Sequence, residues 1–413
     1  MKKKIFVRSP CLSQSGYGEQ SRFALRALRS REDLFDVYIQ PIPWGQTGWI
    51  WQDNEFRQWM DTRITQTQLL LQQKQLNPDI SLQITIPNEF QKICPINIGY
   101  TAGIEVDKVS PVWLQKGNEE VDKILVVSNH AKSVYENTRV EAQTPDGKKV
   151  PYRLETPIDV VWETTPRSTP EAIPNFELPC EFNYLMISQF GPRKNFANAI
   201  KWWVEEFIDQ EVGLVVKTNL RSNSRIDLEQ VEEAMTLLLA SYPERKCKVY
   251  LLHGDLSNNQ MTHLYTQPKI KALVNIAHGE GFGLPMFEAA REGLPVITIG
   301  WSGQVDFLSH EGKEYFEKVI FQLKPVEQES HWKGVIEPGS QWAYADQGSY
   351  KMTLRKSMKE WDRLKATATE LQTIILDKFS EEKLFAGFCD HFYNEKEQQE
   401  LQEEIDSLLD DLI

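Results

Sequence analysis

The densest run of chemically useful residues is His278-Gly279-Glu280-Gly281-Phe282-Gly283-Leu284-Pro285-Met286-Phe287-Glu288-Ala289. It follows an apolar segment, residues 272–276, that reads as a strand. Pro285 suits the first turn of a helix, where its missing N–H has no partner to lose. Residues 279–284 are therefore expected to form a loop, with Glu280 on it and Glu288 in the first helical turn. Two carboxylates near a helix start can accept hydrogen bonds from the vicinal hydroxyls of a ribose or hexose, while loop N–H groups and the helix dipole face phosphate. Glu288 alone would also serve as ordinary compensation of a helix dipole. A second run, Ser13-Gln14-Ser15-Gly16-Tyr17-Gly18-Glu19-Gln20, follows a strand and opens an amphipathic helix carrying Phe23, Ala24, Ala27 and Leu28. Glycine there lets backbone approach a ligand, and free N–H groups at a helix start favour anions. The run is not G-x-G-x-x-G, which argues against a nicotinamide dinucleotide. A structural turn and a phosphate or sugar contact both fit it.

Elements that position these runs follow from the alternation of short apolar segments with longer amphipathic ones. Strands are expected at residues 4–7, 35–39, 81–85, 96–100 and 123–127, with helical stretches at 19–29 and 66–75. A second series is expected at 182–188, 213–218, 248–253, 272–276 and 296–299. Between them the prolines at 151, 157, 166, 170, 174 and 179 mark an interdomain linker. The expected organisation is therefore α/β, with an N-terminal Rossmann-like domain over 1–165, a C-terminal one over 166–385 and a helical tail over 386–413. In the tail, Leu401, Ile405, Leu408 and Leu412 fall at helical spacing, and it is expected to pack back on the N-terminal domain. Ligands of doubly wound sheets sit at the carboxyl ends of the strands, which is where both glycine-rich runs fall.

Composition narrows the function classes. The 413-residue chain carries a formal charge of −13, which gives no support to a wholesale basic surface for nucleic acid. Its five cysteines are scattered without a C-x-x-C pair, and its seven histidines show no ligand spacing, so neither a disulfide framework nor a metal site is expected. No signal peptide is expected, because the apolar run after Lys4 stops at Arg8, and no transmembrane helix, because no apolar stretch reaches ~18 residues. A reducing, cytoplasmic setting is the expectation. Trp44, Trp49 and Trp51 crowd one Gly/Pro-rich stretch and are candidates to line a cleft.

The segment from Glu280 through Pro285, with Glu288 and then Glu292-Gly293-Leu294-Pro295-Val296, resembles the E-x7-E signature of retaining GT-B glycosyltransferases, family GT4 in particular. Ser15-Gly16-Tyr17-Gly18 resembles that family's N-terminal glycine loop, and Gly191-Pro192-Arg193-Lys194-Asn195 its lysine-containing phosphate segment. His253-Gly254-Asp255 stands where its nucleotide-base loop lies, and Val126-Val127-Ser128-Asn129 carries a weaker likeness. The resemblance implies GT-B architecture, two doubly wound Rossmann-like domains facing a central cleft, with acceptor held by the first and nucleotide-sugar donor by the second. It implies catalytic roles for Glu280, beside the donor sugar, and for Lys194, on the diphosphate. Glu288 would bind the ribose, Gly16 would approach the diphosphate, Gly254 would lie by the base, and Gly281, Phe282, Gly283 and Leu284 would contact sugar or phosphate. The implied reaction is a retaining, metal-independent transfer to a hydroxyl, with the nucleotide-diphosphate sugar as co-substrate and no further cofactor. The absence of any D-x-D pair agrees with this.

The sequence departs from the family pattern in two places. No arginine precedes Lys194 within 187–190, so either Arg193 or Lys217 helps neutralise the charge that builds on the leaving diphosphate, or the diphosphate is held more weakly. No histidine occurs in 99–105, which leaves Tyr100 and Glu105 as polar candidates for the acceptor. The motifs leave the acceptor open among a glycan, a lipid-linked saccharide, a protein and modified DNA. Three rival readings stand beside this one. They are a sugar-nucleotide epimerase or phosphorylase of the same fold, a phage-type enzyme glycosylating hydroxymethylated pyrimidines, and a non-catalytic binding module. The second would need a basic stripe such as Lys2, Lys3, Lys4, Arg22, Arg26, Arg29 and Arg31. Against the third stand intact Glu280, Glu288 and Lys194.

Overall fold

The computed structural model describes residues 2–143 and 146–393. Its first half contains strands β1 (Lys3–Ser9), β2 (Phe35–Pro41), β3 (Ile80–Ile84), β4 (Ile96–Thr101) and β5 (Lys123–Val126). A hairpin, β6 (Val140–Gln143) and β7 (Lys149–Tyr152), stands outside the sheet, and β8 (Ile158–Val160) closes it. The sheet order is β2-β1-β3-β4-β5-β8, parallel throughout. Helices α1 (Gly16–Ser30), α2 (Glu55–Gln72), α3 (Pro111–Glu120) and α4 (Asn129–Asn137) cover its faces. Parallel strands covered on both faces read as continuous apolar runs, which is why these strands were legible in the sequence.

The second half builds an equivalent sheet from β9 (Asn183–Ile187), β10 (Gly213–Lys217), β11 (Lys248–Leu252), β12 (Ile270–Asn275) and β13 (Val296–Ile299). Beyond a small pair, β14 (Ser309–His310) and β15 (Lys313–Glu314), β16 (Glu317–Val319) completes the order β11-β10-β9-β12-β13-β16, again parallel. A further hairpin, β17 (Phe321–Pro325) with β18 (Gln341–Ala345), follows. Its helices are α5 (Phe196–Glu206), α6 (Arg225–Leu239), α7 (Asn258–Thr266), α8 (Leu284–Arg291), α9 (Val305–Leu308), α10 (Gln347–Lys359), α11 (Trp361–Lys378) and α12 (Glu381–Cys389). The α/β expectation of two doubly wound sheets is met.

Several boundaries differ from expectation. The polar helix expected at 66–75 is the end of a longer one: α2 begins at Glu55, where the Asn54 side chain accepts the Arg57 N–H. Strand β8 lies at the edge of the proline-rich stretch, where three residues between turns give no periodicity to read. After it, residues 161–182 form a strap without helix or strand.

Apolar packing runs unbroken from one half to the other. Phe287 of α8 meets Phe379 at the end of α11, with ring centroids 5.6 Å apart, and Trp162 of the strap lies 5.2 Å from Phe379. The chain then turns at Ser380 into α12, whose Phe385 and Phe388 lie 5.7 and 5.8 Å from Phe23 of α1. The Cys389 thiol reaches the Ala27 carbonyl at 3.3 Å. The expected tail residues Leu401, Ile405, Leu408 and Leu412 lie outside the described residues. All five cysteines are buried and unpaired. Phe388 is fully buried among Phe23, Tyr100 and Phe392, so Phe388→Ala is expected to cost about 3–5 kcal/mol. Urea unfolding followed by tryptophan fluorescence should show the lowered midpoint.

Candidate active site

The order of the second sheet fixes where a site can form. Strand β9 lies between β10 and β12, so consecutive connections leave it in opposite directions and a crevice opens beyond its carboxyl end. Two loops border that crevice. After β9 the chain makes a 3-10 turn, Pro192–Lys194, ended by Asn195 in a left-handed conformation (φ 49°) that starts α5. After β12 comes the glycine-rich run. The loops are tied together, because the His278 N–H donates to the Arg193 carbonyl (2.8 Å) and the Asn195 amide to the Ile276 carbonyl (3.3 Å).

This places Lys194 and Glu280 in direct contact. The Lys194 ammonium donates to Glu280 Oε1 and Oε2 at 2.6 and 2.7 Å, and Arg193 Nη1 reaches Oε2 at 3.3 Å and the Gly279 carbonyl at 2.7 Å. The Glu280 N–H donates to Ser302 Oγ (3.0 Å), and the Asn275 side-chain amide lies 3.4 Å from Oε1. Burial opposes ionisation of Glu280, but the two cations outweigh it and hold its carboxyl below the usual range. From the other half, Glu105 on the loop after β4 accepts from Arg193 Nε at 2.8 Å. Burial pushes the Glu105 carboxyl up, despite Arg193 and Lys194. Four charged groups from three loops thus meet between the two sheets.

The glycines of the run have a different reason from the expected one. A Cβ on Gly281 would stand 1.9 Å from the Ala102 carbonyl, and one on Gly279 2.2 Å from the Glu105 carbonyl. Backbone of the first half crosses there, so both positions admit only glycine, and Gly281 is turned toward protein. The Phe282 ring is buried, 5.4 Å from Phe287 and 5.1 Å from Phe307, which leaves its backbone as the part expected to contact sugar or phosphate. Gly283 (φ +95°) is the cap of α8, and Leu284 is its half-buried first residue.

Glu288 is the fifth residue of α8, just past the first turn where it was expected. Its Oε2 accepts from the Tyr265 hydroxyl (2.8 Å) and its Oε1 from Thr165 of the strap (3.1 Å). Arg291 fixes that strap by donating to the Thr165 carbonyl (2.5 Å) and hydroxyl (2.9 Å). Burial raises the Glu288 pKa even though Arg291 favours its charged form, and the charge of Glu19 adds to the rise. Glu19 comes from the first turn of α1, so Glu288 faces the helix that Gly16 opens. Gly16 itself is exposed, with open space where a Cβ would sit. Beside it the Ser15 side chain caps the helix by accepting the Gly18 N–H at 3.1 Å.

Other expected residues sit elsewhere. Lys217 donates to the Gly254 carbonyl (2.7 Å), so these two form a separate pair at the ends of β10 and β11. Gly254 holds φ +100°, and its neighbour His253 pairs with Asp227 at 2.9 Å. Tyr100 is fully buried, with its hydroxyl on the Val161 carbonyl at 3.0 Å. It therefore faces the core, which corrects its expected place at the acceptor. Nor do the basic residues in and just after α1 form a free stripe. Arg22 holds the Cys11 and Ser13 carbonyls and Glu19, Arg26 the Thr164 carbonyl and Glu381, Arg29 Glu55, and Arg31 Asp33. Trp44 packs against Tyr17 with the rings tilted (centroids 4.3 Å apart), whereas Trp49 and Trp51 are exposed.

Sequence reasoning missed Thr165, Tyr265, Arg291, Ser302 and Glu163. Only Arg291 carried a signal, one helical turn after Glu288. Asp306 was also missed; it joins the halves by accepting from the Asn129 backbone and side chain (2.8 and 3.0 Å) and from Trp162 Nε1 (2.8 Å).

With this geometry in place, known proteins offer a comparison. No protein-family profile matches the chain. Over 195 residues it is 24% identical to the serotype-specific mannosyltransferase WbdA of Escherichia coli, covering 45% of this chain and 22% of that protein. The chain thus spans about a fifth of that relative's length. Among solved structures, sucrose-phosphate synthase from Thermosynechococcus elongatus matches with a TM-score of 0.60 at 12% identity, over 95% of this chain and 98% of that one. HepE from Anabaena, in complex with UDP and glucose, matches with a TM-score of 0.55 at 12% identity, over 94% and 99%. These likenesses show the fold, the two-sheet GT-B architecture.

Glu163 of the strap is buried near Glu19 and Arg26, and burial, with the charge of Glu19, pushes its carboxyl up to about 8. The folded chain therefore keeps a proton that the unfolded chain releases near pH 4.5. Its stabilising effect is complete below that pH and disappears as pH rises toward 8. Glu163→Gln is expected to lose less melting temperature than the parent between about pH 6 and pH 8.5, as read by calorimetry.

Proposed function

We propose that the chain is a glycosyltransferase of GT4 type, moving a sugar from a nucleotide-diphosphate sugar to a hydroxyl with retention and without a divalent metal. One observation carries this reading. Arg193 and Lys194 are held beside Glu280 at the crevice beyond β9, facing the other half of the fold. The GT-B fold and the partial likeness to a mannosyltransferase support it.

Cleavage of the bond between sugar and diphosphate leaves negative charge on the leaving oxygens. Fixed cations and N–H dipoles lower the barrier because they need not reorganise when that charge appears. Lys194 and Arg193 supply the cations, and the exposed start of α1 at Gly16 supplies N–H dipoles from the opposite sheet. Glu280, kept ionised by its cations, accepts hydrogen bonds from donor-sugar hydroxyls and fixes the reacting carbon. Glu288, with Tyr265 and Thr165, holds the ribose. In retention the acceptor attacks the face that the diphosphate leaves, and a leaving-phosphate oxygen takes the hydroxyl proton. No carboxylate pair of glycosidase spacing is then needed.

The test begins with calorimetric screening of UDP-, GDP- and ADP-sugars, since a bound donor raises the melting temperature by mass action. With the donor so identified, Lys194→Met is expected to lower kcat by about 100-fold or more through lost transition-state stabilisation. Glu288→Gln is expected to act mainly on the donor KM. Undiminished turnover in both variants would remove these roles. An inverted anomeric configuration in the product, read by NMR, would overturn retention.

A further inference from the structure

We propose that Glu105 occupies, on Arg193, the place of the donor's phosphate oxygens, and that a nucleoside diphosphate binds by exchanging with it. Glu105 thereby sets donor affinity. This inference rests on the donor site proposed above. Arg193 and Lys194 are balanced by Glu105 and Glu280, with contacts of 2.6 to 3.3 Å. A diphosphate brings at least two further negative charges into a half-buried cluster whose cations already have carboxylate partners. Like charges at such separations in a partly desolvated site repel strongly. One carboxylate must therefore leave for the cations to receive phosphate.

The geometry selects Glu105. Glu280 has an 8% exposed side chain, two contacts to Lys194, one to Arg193, one to Asn275 and a backbone N–H held by Ser302. Glu105 has a 26% exposed side chain and, among the described residues, one ion-pair contact, to Arg193 Nε, made from the other half of the fold. Its backbone is fixed against Gly279, so the exchange is a side-chain rotation with the loop in place. Guanidinium presents the same fork of N–H donors to a carboxylate and to a phosphate, so one anion can replace the other without moving Arg193.

Isothermal titration calorimetry with UDP, ADP and GDP on the full chain tests the exchange. Glu105→Gln, which keeps size and removes charge, is expected to bind the diphosphate preferred by the parent about tenfold more tightly, because the competing anion is gone. In a background carrying Arg193→Gln, the Glu105→Gln gain should vanish, since the competition acts through Arg193. Unchanged or weaker binding by the single variant would overturn the proposal. So would a gain that persists without Arg193, which would mark a general loosening of the cleft. If the parent binds none of the three diphosphates, the donor-site reading itself falls.

Discussion

The ion cluster of Arg193, Lys194, Glu280 and Glu105 is the constraint on which the arrangement of the cleft turns. Its members come from the ends of β9, β12 and β4, so it joins two sheets that are otherwise complete in themselves. Glu280 is the most buried of the four, and an uncompensated ion at its depth would cost several kcal/mol. The loops that carry these charges are therefore bound to one another's positions. The glycines at 279 and 281 are the steric condition for this, since a side chain at either would hold the loops apart.

A second layer supports the first. Glu288, Tyr265, Thr165 and Arg291 tie α8 to the strap, and Asp306 ties α9 to Trp162 and Asn129. The strap is thus more than a connection between domains. It brings hydroxyls, an indole and the buried acid Glu163 to the same border of the cleft, and its backbone is held by arginines from both halves, Arg26 and Arg291.

Much of this was legible in the sequence for identifiable reasons. Buried parallel strands announce themselves as apolar runs, and β1 to β5 and β9 to β13 were found within a few residues. Glycine-rich turns between strand and helix marked both borders of the cleft, and Lys194 and Glu280 were placed on loops that do meet. What failed was direction and depth. Nothing in the run Gly99-Tyr100-Thr101 tells which face of the pleat Tyr100 takes, and it faces the core. Gly281 looked like a residue cleared for a ligand, yet the clearance serves the backbone of Ala102, some 180 residues away in sequence. Glu163 lies among prolines and threonines, where no periodicity distinguishes a buried acid from a solvated one.

Within the described residues the chain crosses between the two halves twice, once through the strap and once at Ser380, where α11 on one half gives way to α12 on the other. Two anchored crossings tie the halves at two separate places, so any displacement of one against the other must deform the strap or the turn at Ser380. The halves also meet through the Glu105–Arg193 and Asp306–Asn129 contacts, so neither crossing holds the border of the cleft alone.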